Sequence, residues 1–219
     1  MVTAAVPARW RRNFQAKHLL FVVFSLLIVL VWLTRDHLLL VPHSILRVRY
    51  APVWWLVALH GVPGAIALFL GFFQFSSRLR QRYLWLHRAM GRTYVGSVAI
   101  AAPVAVIVAI RLPIPTLLLA SVIQASGWIL ATGTALYCVK TGRIQQHREW
   151  MMRSYPFAMV FVAVRAILAI PAVAQAGLLG LETTVWSCIA VSCFLPSFLI
   201  EWQKLAANRA RVPVASTRA

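Results

Sequence analysis

Acid is what this sequence has least of. Asp36, Glu149, Glu182 and Glu201 are its only carboxylate side chains in 219 residues, against 22 Lys and Arg, and charged residues make up 12% of the chain. A soluble domain is about 25% charged and about 45–50% apolar. Here 61% of residues are hydrophobic, and too few polar residues remain to cover a water-facing globule. A soluble enzyme, a disordered chain and a fibrous repeat are excluded together. Paired carboxylates for acid–base catalysis, a nucleophile triad and a phosphate-binding glycine loop are also missing from the sequence. That disfavours a hydrolase, and a pump that moves ions on carboxylates. Cysteine is nearly as scarce. Cys138, Cys188 and Cys193 all lie in apolar segments, with no Cys-x-x-Cys. They read as small apolar side chains rather than as a disulfide framework or a zinc site.

What is abundant is the apolar run. A membrane span needs about 20 mostly apolar residues. Six segments qualify: His18–Thr34, Val53–Phe75, Thr93–Ile110, Leu117–Val139, Tyr155–Gln175 and Thr184–Trp202. Pro63, Pro103, Pro171 and Pro196 fall inside four of them, which a membrane bundle tolerates. Arg9, Arg11, Arg12 and Lys17 precede the first run, as in a signal peptide. No small-x-small cleavage site follows it, so it reads as an uncleaved first helix.

The formal net charge of +18 would suggest nucleic acid in a soluble chain. Here it is sorted by loop. The N-terminus, the loop with Arg78–Arg92, the loop with Lys140–Arg153 and the tail from Lys204 hold seventeen of the cations. Arg35, Arg47, Arg49 and Arg111 hold the other side. The positive-inside bias then predicts an all-α polytopic bundle of six transmembrane helices with both termini cytoplasmic. Residues 1–17 form a basic N-terminus, 18–202 the membrane domain and 203–219 a basic tail. The expected location is the bacterial inner membrane. The expected partners are lipid and the anionic headgroups of the cytoplasmic side, not nucleic acid; a homo-oligomer or another membrane subunit is a further partner class.

Small residues recur four apart as Gly61/Ala65, Ala67/Gly71, Ser97/Ala101/Ala105/Ala109 and Gly127/Ala131/Ala135. Such stripes mark packed helix faces. Polar residues share them. His60, Gly64, Ala67, Gly71 and Gln74 lie on one side of the second span, and Ser121, Gln124, Trp128, Ala131 and Ala135 on one side of the fourth. Arg165 shares its face with Ala158, Ala169 and Ala172. Counted from the outer ends of their spans, His60, Gln124 and Arg165 lie at depths that let them converge on one pocket. His60, Gln124, Arg165, Gln74 and Trp128 are therefore the pocket or ligand-binding residues. An Arg near the bilayer centre is expensive and points to function. Its alternatives are a staple to helix carbonyls and Gln124, a site for an anionic ligand or haem propionate, and an Arg that snorkels to the interface. A lone His60 reads either as a satisfied hydrogen-bonding partner or as a ligand.

Two loop ends repeat a plan sixty residues apart. His87-Arg88-Ala89-Met90-Gly91-Arg92-Thr93-Tyr94 is followed by His147-Arg148-Glu149-Trp150-Met151-Met152-Arg153-Ser154-Tyr155, with one residue inserted. The spacing fits a duplicated two-helix unit. Arg88, Arg92, Tyr94, Arg148, Arg153 and Tyr155 form a cytoplasmic basic motif, of the kind the headgroup layer selects. His87 and His147 ask for more. Two imidazoles from facing helices could ligate the iron of a b-type haem, or another metal, or form a proton-linked pair.

Leu59-His60-Gly61, Gly71-x-x-Gln74-Phe75 and the two His-Arg motifs resemble the bacterial predicted membrane proteins grouped as a domain of unknown function (DUF 2306). The resemblance runs from about residue 55 to 170. It implies a bacterial polytopic membrane protein and no reaction. Similarity to b561-type cytochromes is looser, because those pair histidines within facing helices and only His60 lies well inside a span. Three functional classes follow: a non-catalytic membrane subunit or ligand-binding bundle, a haem- or quinone-linked redox protein, and a carrier for a small anionic or amphiphilic solute.

Overall fold

The computed structural model describes residues 51–111 and 114–209, with Val41, His43, Val48 and Tyr50; for Pro115 and residues 207–209 only the backbone is described. The expected first span, His18–Thr34, and Arg9, Arg11, Arg12, Lys17, Arg35, Arg47, Arg49, Arg211 and Arg218 lie outside the described residues. The chain divides into Met1–Ala51 and Pro52–Ala219, and the helices below belong to the second unit.

The described residues are helical, in the order α1 Trp54–Gln74, α2 Ser77–Arg82, α3 Leu84–Arg111, α4 Pro115–Lys140, α5 Ile144–Leu168, α6 Pro171–Gln175 and α7 Gly177–Arg209. Five of them, α1, α3, α4, α5 and α7, are long and apolar enough to cross a membrane. The shortest of the five, α1 with 21 residues, spans about 30 Å at 1.5 Å per residue, the thickness of a hydrocarbon core.

Local chemistry sets the boundaries. Between α4 and α5, Gly142 takes φ 76°. Arg143 N–H bonds the Cys138 carbonyl at 2.8 Å and Gly142 N–H the Val139 carbonyl at 3.3 Å. This pair of bonds closes a helix around a left-handed residue that glycine adopts without a Cβ penalty. α2 is capped by Ser76, whose hydroxyl accepts from Leu79 N–H at 3.3 Å. α5 ends before Pro171 because the preceding Ile170 is held extended at ψ 120°.

Several expectations are corrected here. α3 starts at Leu84, not Thr93, and α5 at Ile144, not Tyr155. The two His-Arg motifs therefore lie within helices, not at loop ends. Their cations lower the apolar count without breaking a helix, since neither stretch holds a proline. Pro171 opens α6 instead of lying inside a span, and Pro156 is the proline inside α5. Arg165 stands in the last turn of α5 rather than near the centre of a span, and Ala169, the C-cap one turn on, and Ala172 are exposed, so the small residues expected beside Arg165 on that side are not packed.

α1 packs along α3, α3 along α4, α4 along α5, and α5 closes back on α1 with a lighter contact. The four form a ring in which α3 faces α5 across the interior. α7 lies outside the ring, against α5 and more lightly α4. The perimeter is apolar: Trp55 is 64%, Leu130 67% and Phe194 75% exposed. A contiguous apolar surface of this kind suits lipid.

The small-residue stripes lie inside in most cases. Ala67, Gly71, Ser97, Ala101, Ala131 and Ala135 are buried. Gly61 and Ala65 are exposed, and nothing lies within 4 Å of a Cβ built on Gly61. That stripe is corrected: it faces outward. At the basic end, Lys204 bonds Glu149 at 2.9 Å and Glu201 at 3.0 Å. Arg153 stands 4.0 Å from each glutamate, donates to Ser197 Oγ at 3.2 Å and lies 5.0 Å over the Trp150 ring. These groups clip α7 to the start of α5.

Candidate functional site: a cavity at the end opposite the basic loops

The half of the bundle away from the basic loops holds a cavity of about 270 Å³. α3 supplies small walls through Ala102, Ala105 and Ala109, and Val160, Val164 and Val185 line it from α5 and α7. Its polar groups come from three helices: His60 of α1, Ser121 and Gln124 of α4, and Arg165 of α5. Trp128 of α4 lines it as well. Among the described residues, no carboxylate belongs to the lining.

His60 and Gln124 are oriented by a neighbouring helix, and Arg165 by a residue of its own helix. His60 Nδ1 lies 2.9 Å from the Ala101 carbonyl. A carbonyl only accepts, so Nδ1 carries the proton, and Nε2 of the neutral ring is left as an acceptor. Gln124 Nε2 donates to the Phe157 carbonyl at 3.2 Å, which fixes the amide. The Arg165 guanidinium stands 4.7 Å over the Phe161 ring one turn earlier, a cation–π contact. A cavity with one guanidinium, fixed acceptors and alkyl walls can hold a small molecule with an anionic head and an apolar body.

Trp128 joins this cavity to a buried polar network. Its indole N–H donates to Tyr94 Oη at 3.1 Å. Tyr94 Oη lies 2.8 Å from Ser154 Oγ, Ser154 Oγ 2.7 Å from Thr132 Oγ1, and Thr132 Oγ1 2.7 Å from the Trp128 carbonyl. The proton directions follow from the two ends. The carbonyl accepts from Thr132, so Ser154 donates to Thr132 and Tyr94 donates to Ser154. The loop starts and ends on Trp128 and crosses the interior from α3 to α5. Each buried hydroxyl has a partner, as burial requires.

The network corrects the anchor reading of the motif tyrosines. Tyr94 is 0% and Tyr155 7% exposed. Tyr155 donates to the Leu68 carbonyl of α1 at 3.1 Å and meets the Phe75 ring edge-on at 5.4 Å. Seven residues separate His87 from Tyr94, and eight separate His147 from Tyr155. The positional counterpart of Tyr94 is therefore Ser154, the residue it bonds. Sequence reasoning passed over Ser154 and Thr132. Their signals were the sixty-residue offset from Tyr94 and the one-turn offset from Trp128.

The remaining residues lie elsewhere. Gln74 is 7% exposed at the basic end, away from the cavity, with its Oε1 3.4 Å from a Cβ built on Gly91. Gln74 Nε2 and His87 Nδ1 are the buried side-chain polar atoms without a partner among the described residues. His87 and His147 are each the fourth residue of their helices and stand within electrostatic range of one another. His147 Nδ1 donates to the Ala135 carbonyl at 2.8 Å, leaving Nε2 for a metal, the usual arrangement of a ligating imidazole. Among the described residues, no group of three or more His, Cys, Asp or Glu gathers. Arg153 is committed to α7, while Arg88, Arg92 and Arg148 are exposed. Burial, and then the neighbouring Arg148, lower the pKa of Arg80 on α2.

Residues 57–203 match a family model described as predicted membrane protein (DUF2306). No curated protein and no solved structure matches the chain, so the looser likeness to b561-type cytochromes gains no support.

Proposed function

The chain belongs to the DUF2306 family of predicted membrane proteins, and from that premise we propose that it is a non-catalytic ligand-binding bundle of the bacterial inner membrane, holding a small anionic amphiphile in the cavity at Arg165. One observation carries the reading. Three helices bring His60, Gln124 and Arg165 together in one cavity that is otherwise walled mainly by apolar side chains. The volume, about 270 Å³, sits at the lower edge of the roughly 300–1,000 Å³ range of small-molecule sites. It suits a short alkyl body better than a macrocycle. The head meets Arg165, a hydroxyl or N–H on the body meets His60 Nε2 or Gln124 Oε1, and the alkyl part lies along the alanines of α3.

The test uses the full-length protein in nanodiscs, with protein-free discs as the blank, and decanoate against decanol as probes. A hydrogen bond to a charged group contributes about 1.5–3 kcal/mol, or roughly tenfold to a hundredfold in affinity. Saturable binding of decanoate, at least about tenfold tighter than decanol, is expected. Arg165→Gln should erase that preference while the unfolding midpoint stays near the wild type. Equal binding of the two probes, or unchanged decanoate binding by Arg165→Gln, would refute the reading.

Orientation is part of the proposal. The loops rich in Arg and Lys face the cytoplasm, and the cavity lies in the outer half. Reporter fusions at Gly142 and Ala176 should give a cytoplasmic and an external signal respectively. The reverse pattern turns the bundle over and moves the cavity to the inner half.

A further inference from the structure

The end of the bundle opposite the cavity carries a second unexplained feature. Arg80 of α2 and Arg148 of α5 stand within electrostatic range of one another, and His87 stands within range of Arg80, Arg88 and His147. Arg80 is half-buried, and its Nη1 donates to the Gln74 carbonyl at 3.4 Å. Like charges gathered this way repel. Among the described residues there are three carboxylates, and each is engaged elsewhere. Glu149 and Glu201 hold Lys204 and Arg153, and Glu182 accepts from Thr116 at the far end.

Among the described residues, the same cluster contains the buried side-chain polar atoms that lack a partner, Gln74 Nε2 and His87 Nδ1. They belong to adjacent helices. Gln74 meets α3 at Gly91, one turn beyond His87. A buried donor left unsatisfied costs about 1–3 kcal/mol. Gln74 Nε2 is such a donor, His87 Nδ1 is a second in the tautomer that protonates it, and Arg80 stands beside both, with Arg148 within range of Arg80. A tetrahedral oxyanion presents several acceptors in different directions and a charge for the guanidinium forks.

We propose that Arg80 and Arg148, with Gln74 Nε2 and His87 Nδ1–H as the buried donors, form a phosphate-binding site at the basic end of the bundle. The phosphate comes from a phospholipid headgroup or from free phosphate in solution. Arg80 is the principal residue, because its bond to the Gln74 backbone carbonyl holds the guanidinium at the residue that carries the buried amide. Arg148 closes the site from α5, so an occupied site joins α1, α2, α3 and α5.

The experiment takes full-length protein in maltoside detergent and measures the unfolding midpoint at constant ionic strength. One arm adds inorganic phosphate, with chloride as its control. The other adds phosphatidic acid in mixed micelles, with diacylglycerol of the same chains as its control. Phosphatidic acid is expected to raise the midpoint where diacylglycerol does not. A rise with inorganic phosphate over chloride as well assigns the site to free phosphate; a rise with phosphatidic acid alone assigns it to the headgroup. Arg80→Gln and Arg148→Gln should each weaken the response about tenfold. Arg78→Gln, on the same short helix, should leave it intact and so controls for net charge. Gln74→Met separates a site from a packing defect. Without phosphate it should be as stable as the wild type or more so, because an unsatisfied amide is gone, and its phosphate response should be lost. No response to either phosphate probe, or an Arg78→Gln effect equal to that of Arg80→Gln, overturns the proposal. So does a full response in Gln74→Met.

Discussion

Gly71→Val should prevent the bundle from assembling, and Gly71→Ala should destabilise it by about 1–3 kcal/mol. A Cβ at this position would stand 2.6 Å from Tyr155 Cδ2 and 2.9 Å from Tyr94 Cε2. Neither ring is free to retreat. Tyr155 is tied by its hydroxyl to the Leu68 carbonyl, and Tyr94 by its own to Trp128 and Ser154. The loss should be visible although alanine has an advantage of roughly 0.5–1 kcal/mol over glycine within a helix. Gly61→Ala is the matched control on the same helix, since nothing lies within 4 Å of its Cβ. It should be neutral or slightly stabilising. Unfolding midpoints and monodisperse yields in detergent give the comparison. Equal effects at the two glycines would mean that the rings do yield, and that α1 is not fixed by them.

Tyr94→Phe is the second substitution with a large expected effect, again about 1–3 kcal/mol. It removes the acceptor of the Trp128 indole N–H and leaves that buried donor unsatisfied. Ser154 is less affected, because it still donates to Thr132. The loss should therefore fall on Trp128. It should appear as a changed indole emission and as weaker decanoate binding, since Trp128 also lines the cavity. A double-mutant cycle with Trp128→Phe should give a coupling of about 0.5–3 kcal/mol, because removing both partners costs less than orphaning one. Strict additivity would show that the bond contributes nothing.

Much of the frame was legible without coordinates. Too few polar residues for a water-facing surface, together with apolar runs of membrane length, suffice for a helical membrane bundle. The inward faces of two helices were legible too. His60, Gly64, Ala67, Gly71 and Gln74 repeat on one side of α1, and Ser121, Gln124, Trp128, Ala131 and Ala135 on one side of α4, all at least half-buried. The depth of a residue in its helix is a local count at a fixed rise. That count serves His60 and Gln124, but it put Arg165 near the centre of a span because it ran to Gln175, whereas α5 ends at Leu168 and Arg165 lies in its last turn.

Other features needed the packed molecule. Helix starts at Leu84 and Ile144 were hidden because Arg and His in a first turn depress the apolar signal without opposing helix formation. The Gly61/Ala65 stripe has the same spacing as Ala67/Gly71, and only the placement of α3 and α5 shows which of the two is covered. Gln74 follows His60 on one face of α1 but lies at the opposite end, since fourteen residues of helix separate them by about 20 Å. The partners of Tyr94 were out of reach as well. Helical periodicity is a property of one segment and follows from its sequence alone. The order of helices around the bundle, and so the diagonal that brings Tyr94 to Ser154 and Arg80 near Arg148, depends on contacts between segments far apart in the chain. The sequence by itself determined a helical membrane bundle and the periodic inward faces of α1 and α4; the tertiary structure decided where α3 and α5 begin and end, and which of the polar residues meet.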